Sequence, residues 1–255
     1  MWLALAVLCT GVARGQAPSY SAAGIVNASN FTPGPFAPNS VLALFGTNLS
    51  FNTVTLTSDL IVGDKLPVQM GGVGVYVAGS LAPLLYVSAT QINFLVPFTD
   101  VAGAASVTVV RQSVDGPTVT ISLVGAAPQL FSDASGYAIA ADWNNNGAII
   151  TPGAPAHGGD IVILYATGLG AVAPSTYPGE LAQYASFITN LSSLKVSING
   201  VLLASSAILY AGLSPGSAGL YQINLVLPAN PGTNPSIQVS IAGQASASAC
   251  QLAVQ

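Results

Sequence analysis

Apolar and polar residues alternate with a period of two along most of this 255-residue chain. The clearest runs cover residues 73–77, 119–123, 221–227 and 237–241. Successive side chains of a strand point to opposite faces of a sheet, so this alternation predicts half-buried strands in antiparallel sheets. Turn signals rich in Gly, Pro and Asn separate the runs, and long helices are not expected. The only helix candidate is 180–187, where a loop explains the pattern equally well.

The chain contains an internal duplication. Residues 40–50 read SVLALFGTNLS and residues 160–170 read DIVILYATGLG, an offset of 120 positions. The tripeptide Gln-Ile-Asn at 91–93 recurs at 222–224. A repeat this long exceeds the roughly 20 to 50 residues of solenoid and propeller units, so each copy should be a domain. With about seven short strands per copy, we predict an all-β protein of two tandem immunoglobulin-like β-sandwiches.

Two boundaries divide the chain. An apolar core followed by Ala13-Arg14-Gly15 is typical of a secretory signal peptide, so we predict a signal at 1–15 that is cleaved before Gln16. A buried strand is the alternative interpretation of that segment. A short Ala-Ala-Pro joint separates a first sandwich, 16–127, from a second, 128–255, and favours a semi-rigid pair. Export predicts a secreted or cell-surface protein.

Ionisable side chains are scarce. Charged residues make up 5% of the chain, against about a quarter in typical soluble proteins. Once the predicted signal is removed, Lys65, Arg111 and Lys195 face eight acidic residues, which gives a net charge of −5. Three scattered cations cannot form the basic stripe that phosphate backbones or anionic membranes require, so nucleic acid is not an expected partner. Beyond the N-terminus no apolar run reaches the ~18 residues of a spanning helix, so no transmembrane segment is expected in the mature chain.

Cysteine usage excludes a disulfide framework. Cys9 lies in the predicted signal, which leaves Cys250 as the single cysteine of the mature chain. One cysteine cannot form an internal disulfide, so core packing must hold the fold together. We interpret Cys250 as a small buried hydrophobe, with intermolecular pairing as the alternative.

Several motifs occur together, in the same order, in a known family. They lie at 41–49, 84–88 followed by Gln-Ile-Asn, 164–170, 209–213 and 219–224. With these motifs the chain resembles the Solibacter-type uncharacterised C-terminal domain family over nearly all of the predicted mature chain. Each half also resembles, more loosely, the immunoglobulin-like domains shared by plexins and transcription factors. That family is usually found at the C-terminal end of large exported bacterial proteins and has no assigned activity, so the resemblance implies an exported bacterial protein.

One segment matches the first half of a calcium-binding loop. Asp142, Asn144 and Asn146 occupy alternate positions before a glycine, so their side-chain oxygens could converge on a hard cation. The acid that closes such a loop is missing, because Gly153 stands at that position. The alternative, which we favour, is an Asn-Gly turn. Calcium is therefore the single cofactor for which the sequence offers ligands, and we expect no cofactor to be required.

Residues with catalytic potential are few. The segment 212–216 matches the letters of the G-x-S-x-G nucleophile motif around Ser214, but Pro215 opposes the turn that this motif needs. The only histidine, His157, comes earlier in the chain, close to Asp160. With one histidine, one mature cysteine and no clustered carboxylates, we predict that the protein is not an enzyme. An esterase acting through Ser214 is the hypothesis to exclude.

Our first functional hypothesis is an exported structural or adhesive protein of the cell surface or extracellular matrix. Its partners would be copies of itself, other envelope proteins or glycans. Sparse charge opposes self-association only slightly, so assembly into a filament is a concrete version. The residues predicted to add a strand to a neighbour are Tyr20, Ile25, Val26, Phe31 and Phe36.

The alternative hypothesis is a carbohydrate-binding module. Trp143, Tyr177 and Tyr184 are the aromatic residues predicted to stack on sugar rings, because aromatic rings present apolar faces. Nothing in the sequence places these three residues together. Core packing or loop anchoring is the alternative role for them.

Overall fold

The computed structural model describes residues 16–97 and 102–255. The signal peptide predicted at 1–15 lies outside the described residues. Within them, short antiparallel strands form four sheets. These sheets pack as two tandem immunoglobulin-like β-sandwiches, which confirms the predicted fold class. In the described ranges no helix has the length and apolar character that crossing a bilayer requires.

The strands of the first sandwich run from residue 19 to residue 123. They are β1 (Ser19–Asn27), β2 (Val41–Thr47), β3 (Val54–Thr55), β4 (Val73–Val77), β5 (Ser80–Leu81), β6 (Leu84–Val87), β7 (Gln91–Leu95), β8 (Gly103–Arg111), β9 (Val114–Asp115) and β10 (Val119–Leu123). One sheet has the order β1-β2-β7-β6-β3, and the other has the order β10-β8-β4-β5 with β9 paired to β8. A 3₁₀ turn covers Ser58–Leu60.

The strands of the second sandwich run from residue 129 to residue 245. They are β11 (Gln129–Leu130), β12 (Ala140–Asp142), β13 (Ala148–Ile149), β14 (Ile161–Thr167), β15 (Val172–Ala173), β16 (Ser186–Ile188), β17 (Lys195–Ile198), β18 (Val201–Leu202), β19 (Ile208–Leu213), β20 (Tyr221–Val226), β21 (Ile237–Ile241) and β22 (Gln244–Ala245). The larger sheet has the order β13-β12-β14-β20-β19-β16-β15 with β11 on β14, and the smaller has the order β18-β17-β21-β22. Further 3₁₀ turns cover Leu191–Ser193 and Ser205–Ala207.

Each sandwich has its own apolar core between its two sheets. The predicted alternation is observed directly, because β4, β20 and β21 bury every second side chain. The predicted hairpin between β17 and β18 is also confirmed. Its turn residues, Asn199 and Gly200, have φ angles of 49° and 77°, which is the left-handed backbone that tight hairpins need.

The segment 180–187 is not a helix. Its backbone amides bond outside the segment: the N–H of Leu181 donates to the carbonyl of Asp64 at 2.8 Å, and the N–H of Ala182 donates to Ser217 at 3.0 Å. Ser186 already belongs to β16. The loop alternative is therefore correct, because tertiary hydrogen bonds replace the ones that a helix would form within itself.

The duplication is visible in the strand pairing. β2 pairs with β7 in the first sandwich, and β14 pairs with β20 at the equivalent place in the second. β6 and β19 then flank β7 and β20, each with an irregular register at one position. The two Gln-Ile-Asn tripeptides lie on β7 and β20. The repeated sequence therefore corresponds to the same strand pairing in both sandwiches.

A buried polar junction joins the two sandwiches. The hydroxyl of Thr167, at the end of β14, accepts a hydrogen bond of 3.0 Å from the N–H of Val41. The hydroxyl of Tyr221, which is fully buried, accepts from the side-chain amide of Asn39 at 3.4 Å and donates to the carbonyl of Gly170. Burial raises the pKa of Tyr221 far above its usual value, so the phenol stays protonated. These hydrogen bonds join the two domains through neutral groups alone.

A second contact crosses between the sandwiches through two loops. The N–H of Leu66 donates to the carbonyl of Gly179 at 2.9 Å, and Leu181 bonds back to Asp64. The ammonium group of Lys65 lies 4.9 Å from the centre of the Tyr177 ring, close enough for a cation–π contact. Two separated contacts restrict rotation of one domain against the other.

The segment predicted to add a strand to a neighbour is already part of the first sandwich. β1 pairs with β2 at its two ends, with an irregular register between Tyr20 and Ile25, and Ile25 and Phe36 lie in the core. The hydroxyl of Tyr20 donates to the carbonyl of Pro117 and accepts from a backbone N–H of β8. Only Phe31 is largely exposed, at 62%, and Val26 is half-buried. Because β1 is the outermost strand of its sheet, pairing with β2 occupies one of its edges, and strand addition to a neighbouring copy stays a prediction.

We expect Gly168→Ala to destabilise the protein strongly. Gly168 has a φ of +74°, and an added Cβ would lie 2.2 Å from the carbonyl oxygen of Ala127 at the domain junction. Gly216→Ala is the matched control, since Gly216 has the same φ of +74° and no heavy atom within 4 Å of the added Cβ. We expect a loss of about 1 kcal/mol at Gly216 and at least about 2 kcal/mol more at Gly168. Urea unfolding measures both, and equal losses would contradict the close approach.

Candidate functional site

The outer surface of the first sandwich carries a cluster of aromatic and amide side chains. Phe45 of β2 lies opposite Gln91 of β7, and Tyr86 of β6 lies opposite Asn93 of β7. Because Ile92 between the two amides is fully buried, strand alternation turns Gln91 and Asn93 away from the core. We call Phe45, Tyr86, Gln91 and Asn93 the first aromatic–amide face.

The second sandwich carries an equivalent cluster. Tyr165 of β14 lies opposite Gln222 of β20, and Tyr210 of β19 lies opposite Asn224 of β20. Ile223 between these amides is fully buried. We call Tyr165, Tyr210, Gln222 and Asn224 the second aromatic–amide face. The two copies therefore share one arrangement: an aromatic ring lies opposite a glutamine, and a tyrosine lies opposite an asparagine.

The amides of each face are oriented by hydrogen bonds. The Nε2 of Gln91 donates to the Oδ1 of Asn93 at 2.8 Å, and the Nε2 of Gln222 donates to the Oδ1 of Asn224 at 3.1 Å. In the second face the hydroxyl of Ser214 also donates to the Oε1 of Gln222 at 2.9 Å. Among the described residues, neither asparagine Nδ2 has an acceptor. Each face therefore presents an oriented N–H donor group to the solvent.

An additional phenylalanine flanks each face. Phe31 lies beside Phe45 with the ring centres 6.0 Å apart, and Phe187 lies beside Tyr210 with the centres 4.9 Å apart. Phe31 is 62% exposed and Phe187 is 43% exposed. Such pairs are within the range of favourable aromatic contact. They widen the apolar surface next to the amides.

The hydroxyl of Tyr210 is held against the backbone. It donates to the carbonyl of Leu213 at 2.7 Å and approaches that of Ser186 at 3.4 Å. Burial raises the pKa of Tyr210 above its ordinary value, which outweighs the opposing effect of the bond to Ser186. The ring is therefore neutral at physiological pH and fixed in orientation.

The chemistry of these faces suits a neutral, hydroxyl-rich ligand. Aromatic rings pack against C–H surfaces, and amide groups both donate to and accept from hydroxyls. The eight side chains of the two faces include no carboxylate, guanidinium, ammonium or imidazole group. Binding of ions or phosphates has no support there, whereas the mixture of apolar and amide groups matches sugar rings.

The sequence contained a signal for these faces. The repeated Gln-Ile-Asn marks the duplication and the family resemblance, and two amides around a buried isoleucine also predict two outward amides. The opposing tyrosines could not be found in this way. Their position depends on irregular register between Leu84 and Tyr86 and between Ile208 and Tyr210, which local sequence does not specify.

An apolar pocket adjoins the first face at the domain junction. Its volume is about 360 Å³, and its lining includes Val41, Leu56, Leu85, Phe131 and Leu220. Val41 and Leu85 belong to β2 and β6, the same strands that carry the aromatic residues of the first face. The pocket therefore extends that face towards the second sandwich.

The aromatic residues Trp143, Tyr177 and Tyr184 are not assembled into one platform. The N–H of Trp143 bonds to Ile161, at the start of β14, whereas Tyr177 contacts Lys65 near the opposite end of that strand. Tyr184 lies in the same loop as Tyr177, and no ring pair among the described residues joins any two of the three. All three are exposed, at 60%, 70% and 80% respectively. Sugar stacking by Trp143, Tyr177 and Tyr184 stays a prediction.

Two of the candidate calcium ligands, Asp142 and Asn144, already accept hydrogen bonds from backbone N–H groups through their side-chain oxygens. The Oδ1 of Asp142 accepts from the N–H groups of Asn144 and Asn145, and the Oδ1 of Asn144 accepts from the N–H of Ile161 at 2.7 Å. Asn146 has a φ of 53°, as expected for an Asn-Gly turn. No group of three or more His, Cys, Asp or Glu side chains gathers within residues 16–97 and 102–255. Calcium binding by Asp142, Asn144 and Asn146 stays a prediction, and the turn explains the same residues.

Ser214 and His157 lie at opposite ends of the larger sheet. Ser214 follows Leu213, which pairs with Tyr221 at one end of β20. His157 precedes β14, whose first residue pairs with the other end of β20. Five residues of strand, or about 17 Å, separate these ends. His157 is paired instead with Asp160 at 3.6 Å, so the esterase hypothesis has no serine–histidine contact to support it.

Comparisons with known proteins give fold-level matches only. No family model and no curated protein matches this chain. Among solved structures, it is similar to the surface glycan-binding protein PbSGBP-B from Prevotella bryantii, with 15% identity over 93% of this chain and 42% of that one, at a TM-score of 0.29. It is also similar to the SGBP-B protein of the Bacteroides ovatus mixed-linkage glucan utilization locus, with 11% identity over 86% of this chain and 43% of that one, at a TM-score of 0.33. The chain is similar as well to the extracellular region of plexin A4, with 12% identity over 92% of this chain and 18% of that one, at a TM-score of 0.30. The chain spans less than half the length of these structures.

Cys250 is expected to react slowly in the folded protein. It is 8% exposed, and burial, with a smaller contribution from Asp133, raises the pKa of its thiol to about 11. At about pH 8 the thiolate should be at least about 100-fold rarer than in the unfolded chain, whose thiol has a pKa near 8.5. Alkylation by iodoacetamide should slow by at least that factor, and the difference should shrink as the pH rises towards the folded pKa. Equal rates in buffer and in denaturant would contradict this burial.

Proposed function

We propose that this protein is an exported, non-enzymatic adhesive protein that binds neutral glycan chains through its two aromatic–amide faces. The observation that carries the proposal is the repetition of one constellation, an aromatic ring opposite a glutamine and a tyrosine opposite an asparagine, in both sandwiches. Core packing does not require amides there, since these positions are half-buried on the outer face. A shared ligand accounts for their retention in both copies.

The absence of charge supports a glycan over other ligands. A peptide or nucleotide would normally be held by ionic groups, and the two faces contain none. Sugar hydroxyls need donors and acceptors in fixed positions, which the hydrogen-bonded Gln and Asn side chains supply. The exposed rings of Phe31 and Phe187 add the apolar contact that sugar C–H groups favour.

A non-enzymatic role is supported by the positions of the ionisable residues. Ser214 donates to Gln222 rather than contacting a base, and His157 is 65% exposed beside Asp160 at the far end of the sheet. Hydrolysis of a glycan needs two carboxyl groups a few ångströms apart. No such pair lies on either face.

We expect Gln91→Ala and Gln222→Ala each to weaken binding of a neutral polysaccharide about tenfold, because each removes the group that orients the neighbouring asparagine. A glycan array of neutral polysaccharides would identify the ligand, and calorimetry would measure affinity. The double variant should reduce binding below detection, since both faces contribute.

Trp143→Ala is the control for this experiment, because Trp143 is 60% exposed but lies outside both faces. Its affinity should equal that of the unmodified protein. An array without any hit, or binding lost in Trp143→Ala and retained in both glutamine variants, would contradict the proposed faces. Circular dichroism would establish that each variant is folded.

Self-assembly is a second candidate function, supported by one edge of the smaller sheet. β18 pairs only with β17, and its two residues, Val201 and Leu202, are 70% and 59% exposed. An edge strand with exposed apolar side chains and no charge is a favourable surface for pairing with another copy.

Val201→Lys is expected to reduce self-association at least about tenfold, because a lysine on an edge strand opposes pairing with a second strand. Val62→Lys is the matched control, since Val62 is 76% exposed in a loop of the first sandwich. Sedimentation velocity and electron microscopy of concentrated protein provide the measurement. Monomers at every concentration, or equal effects of the two lysines, would argue against assembly through β18.

A further inference from the structure

Arg111 is a buried cation without a carboxylate partner among the described residues. It lies at the end of β8 and is only 2% exposed. Its guanidinium donates to the backbone carbonyls of Asn48 and Gln16 and stacks on the ring of Phe51 at 3.9 Å. Its Nε has no hydrogen-bond partner. Two carbonyl dipoles and one aromatic ring therefore balance a full positive charge.

The chain is anchored from Gln16 onwards. The carbonyl of Gln16 is held by Arg111, and its Oε1 accepts from the side-chain amide of Asn48 at 3.3 Å. Pro18 is buried beside Gly116, where an added Cβ would lie 3.1 Å from the proline ring. These contacts hold the first described residue against the strand that carries the buried cation.

We infer that Gln16 becomes the N-terminus of the exported protein and cyclises to pyroglutamate. This inference rests on the predicted cleavage after Gly15 and goes beyond glycan binding. The α-amino nitrogen of Gln16 attacks the side-chain Cδ, a new N–Cδ amide bond forms, the Cδ–Nε2 bond breaks, and ammonia leaves. No oxidant, reductant or other reactant is consumed. The Oε1 of Gln16 becomes the lactam oxygen.

Electrostatics favours the cyclised end. A free N-terminus would place an ammonium group within about 6 Å of the Arg111 guanidinium, because the nitrogen and carbonyl of one residue are neighbours. Arg111 is shielded from water, so this repulsion would be weakly screened. The lactam is neutral and removes it. Gln16 is exposed, so its side chain is accessible for the reaction.

The test uses the full chain, expressed with its N-terminal segment in a secreting bacterium. The exported protein is digested, and its N-terminal peptide is identified by mass spectrometry. The expected peptide begins at residue 16, lacks a free amine, and is lighter than the unmodified peptide by about 17 Da, the mass of ammonia. A peptide that begins at Gln16 with its amine intact, or an N-terminus at any other residue, would overturn the inference.

A second measurement addresses the role of Arg111. Gln16→Ala keeps the carbonyl that Arg111 binds but cannot cyclise, so its ammonium group remains beside the guanidinium. The melting temperature of this variant should fall by about 2–4 °C relative to the cyclised protein. Ala17→Gly, next along the chain and also exposed, is the control: it retains Gln16, so it should still lose the mass of ammonia and should not reproduce the fall in melting temperature. An unchanged melting temperature in Gln16→Ala would overturn the electrostatic part, and glycan binding is assayed separately in both variants.

Discussion

The arrangement of the molecule depends on the buried polar junction between its two sandwiches. Thr167, Tyr221 and Asn39 link β14 and β20 of the second domain to the start of β2 in the first. Separating the domains would exchange these hydrogen bonds for bonds to water, at a net cost of about 0.5–1.5 kcal/mol for each bond. Within the described residues no salt bridge joins the two domains. The junction therefore selects one relative position, and both outer faces depend on it.

Within each domain the core determines what the outer face can present. β7 and β20 bury Ile92 and Ile223 completely, and the pleat of a strand then turns the flanking amides outward. The inner positions are fixed by close packing, so the outer positions are held with the same precision without further scaffolding. A site on the outer face of a sheet is therefore more rigid than one on loops, which is what weak, neutral contacts to hydroxyl groups require.

Much of the fold could be predicted from the sequence, because alternation and duplication are local or repeated signals. The strands around Val75 and Val239 and the Asn199-Gly200 hairpin follow from period and turn chemistry alone. The site was less accessible. Tyr86 and Tyr210 face the amides only because of register irregularities, and Trp143 is separated from Tyr177 by the length of β14, a distance that composition does not encode. The burial of Arg111 was equally hidden, since a lone arginine in a charge-poor chain reads as a solvent-exposed residue.

Under the proposed function, the scarcity of charge also gives a reason for two faces. A single cluster of one or two rings and two amides offers a few hydrogen bonds, each contributing about 0.5–1.5 kcal/mol net, and a modest apolar area. That supports only weak binding of one sugar segment. Under the proposed function, a second cluster on the same chain would convert the next contact along a long glycan into an intramolecular event and raise overall affinity without any new kind of group. Duplication of the domain would then supply by repetition the strength that a charged site would supply by electrostatics.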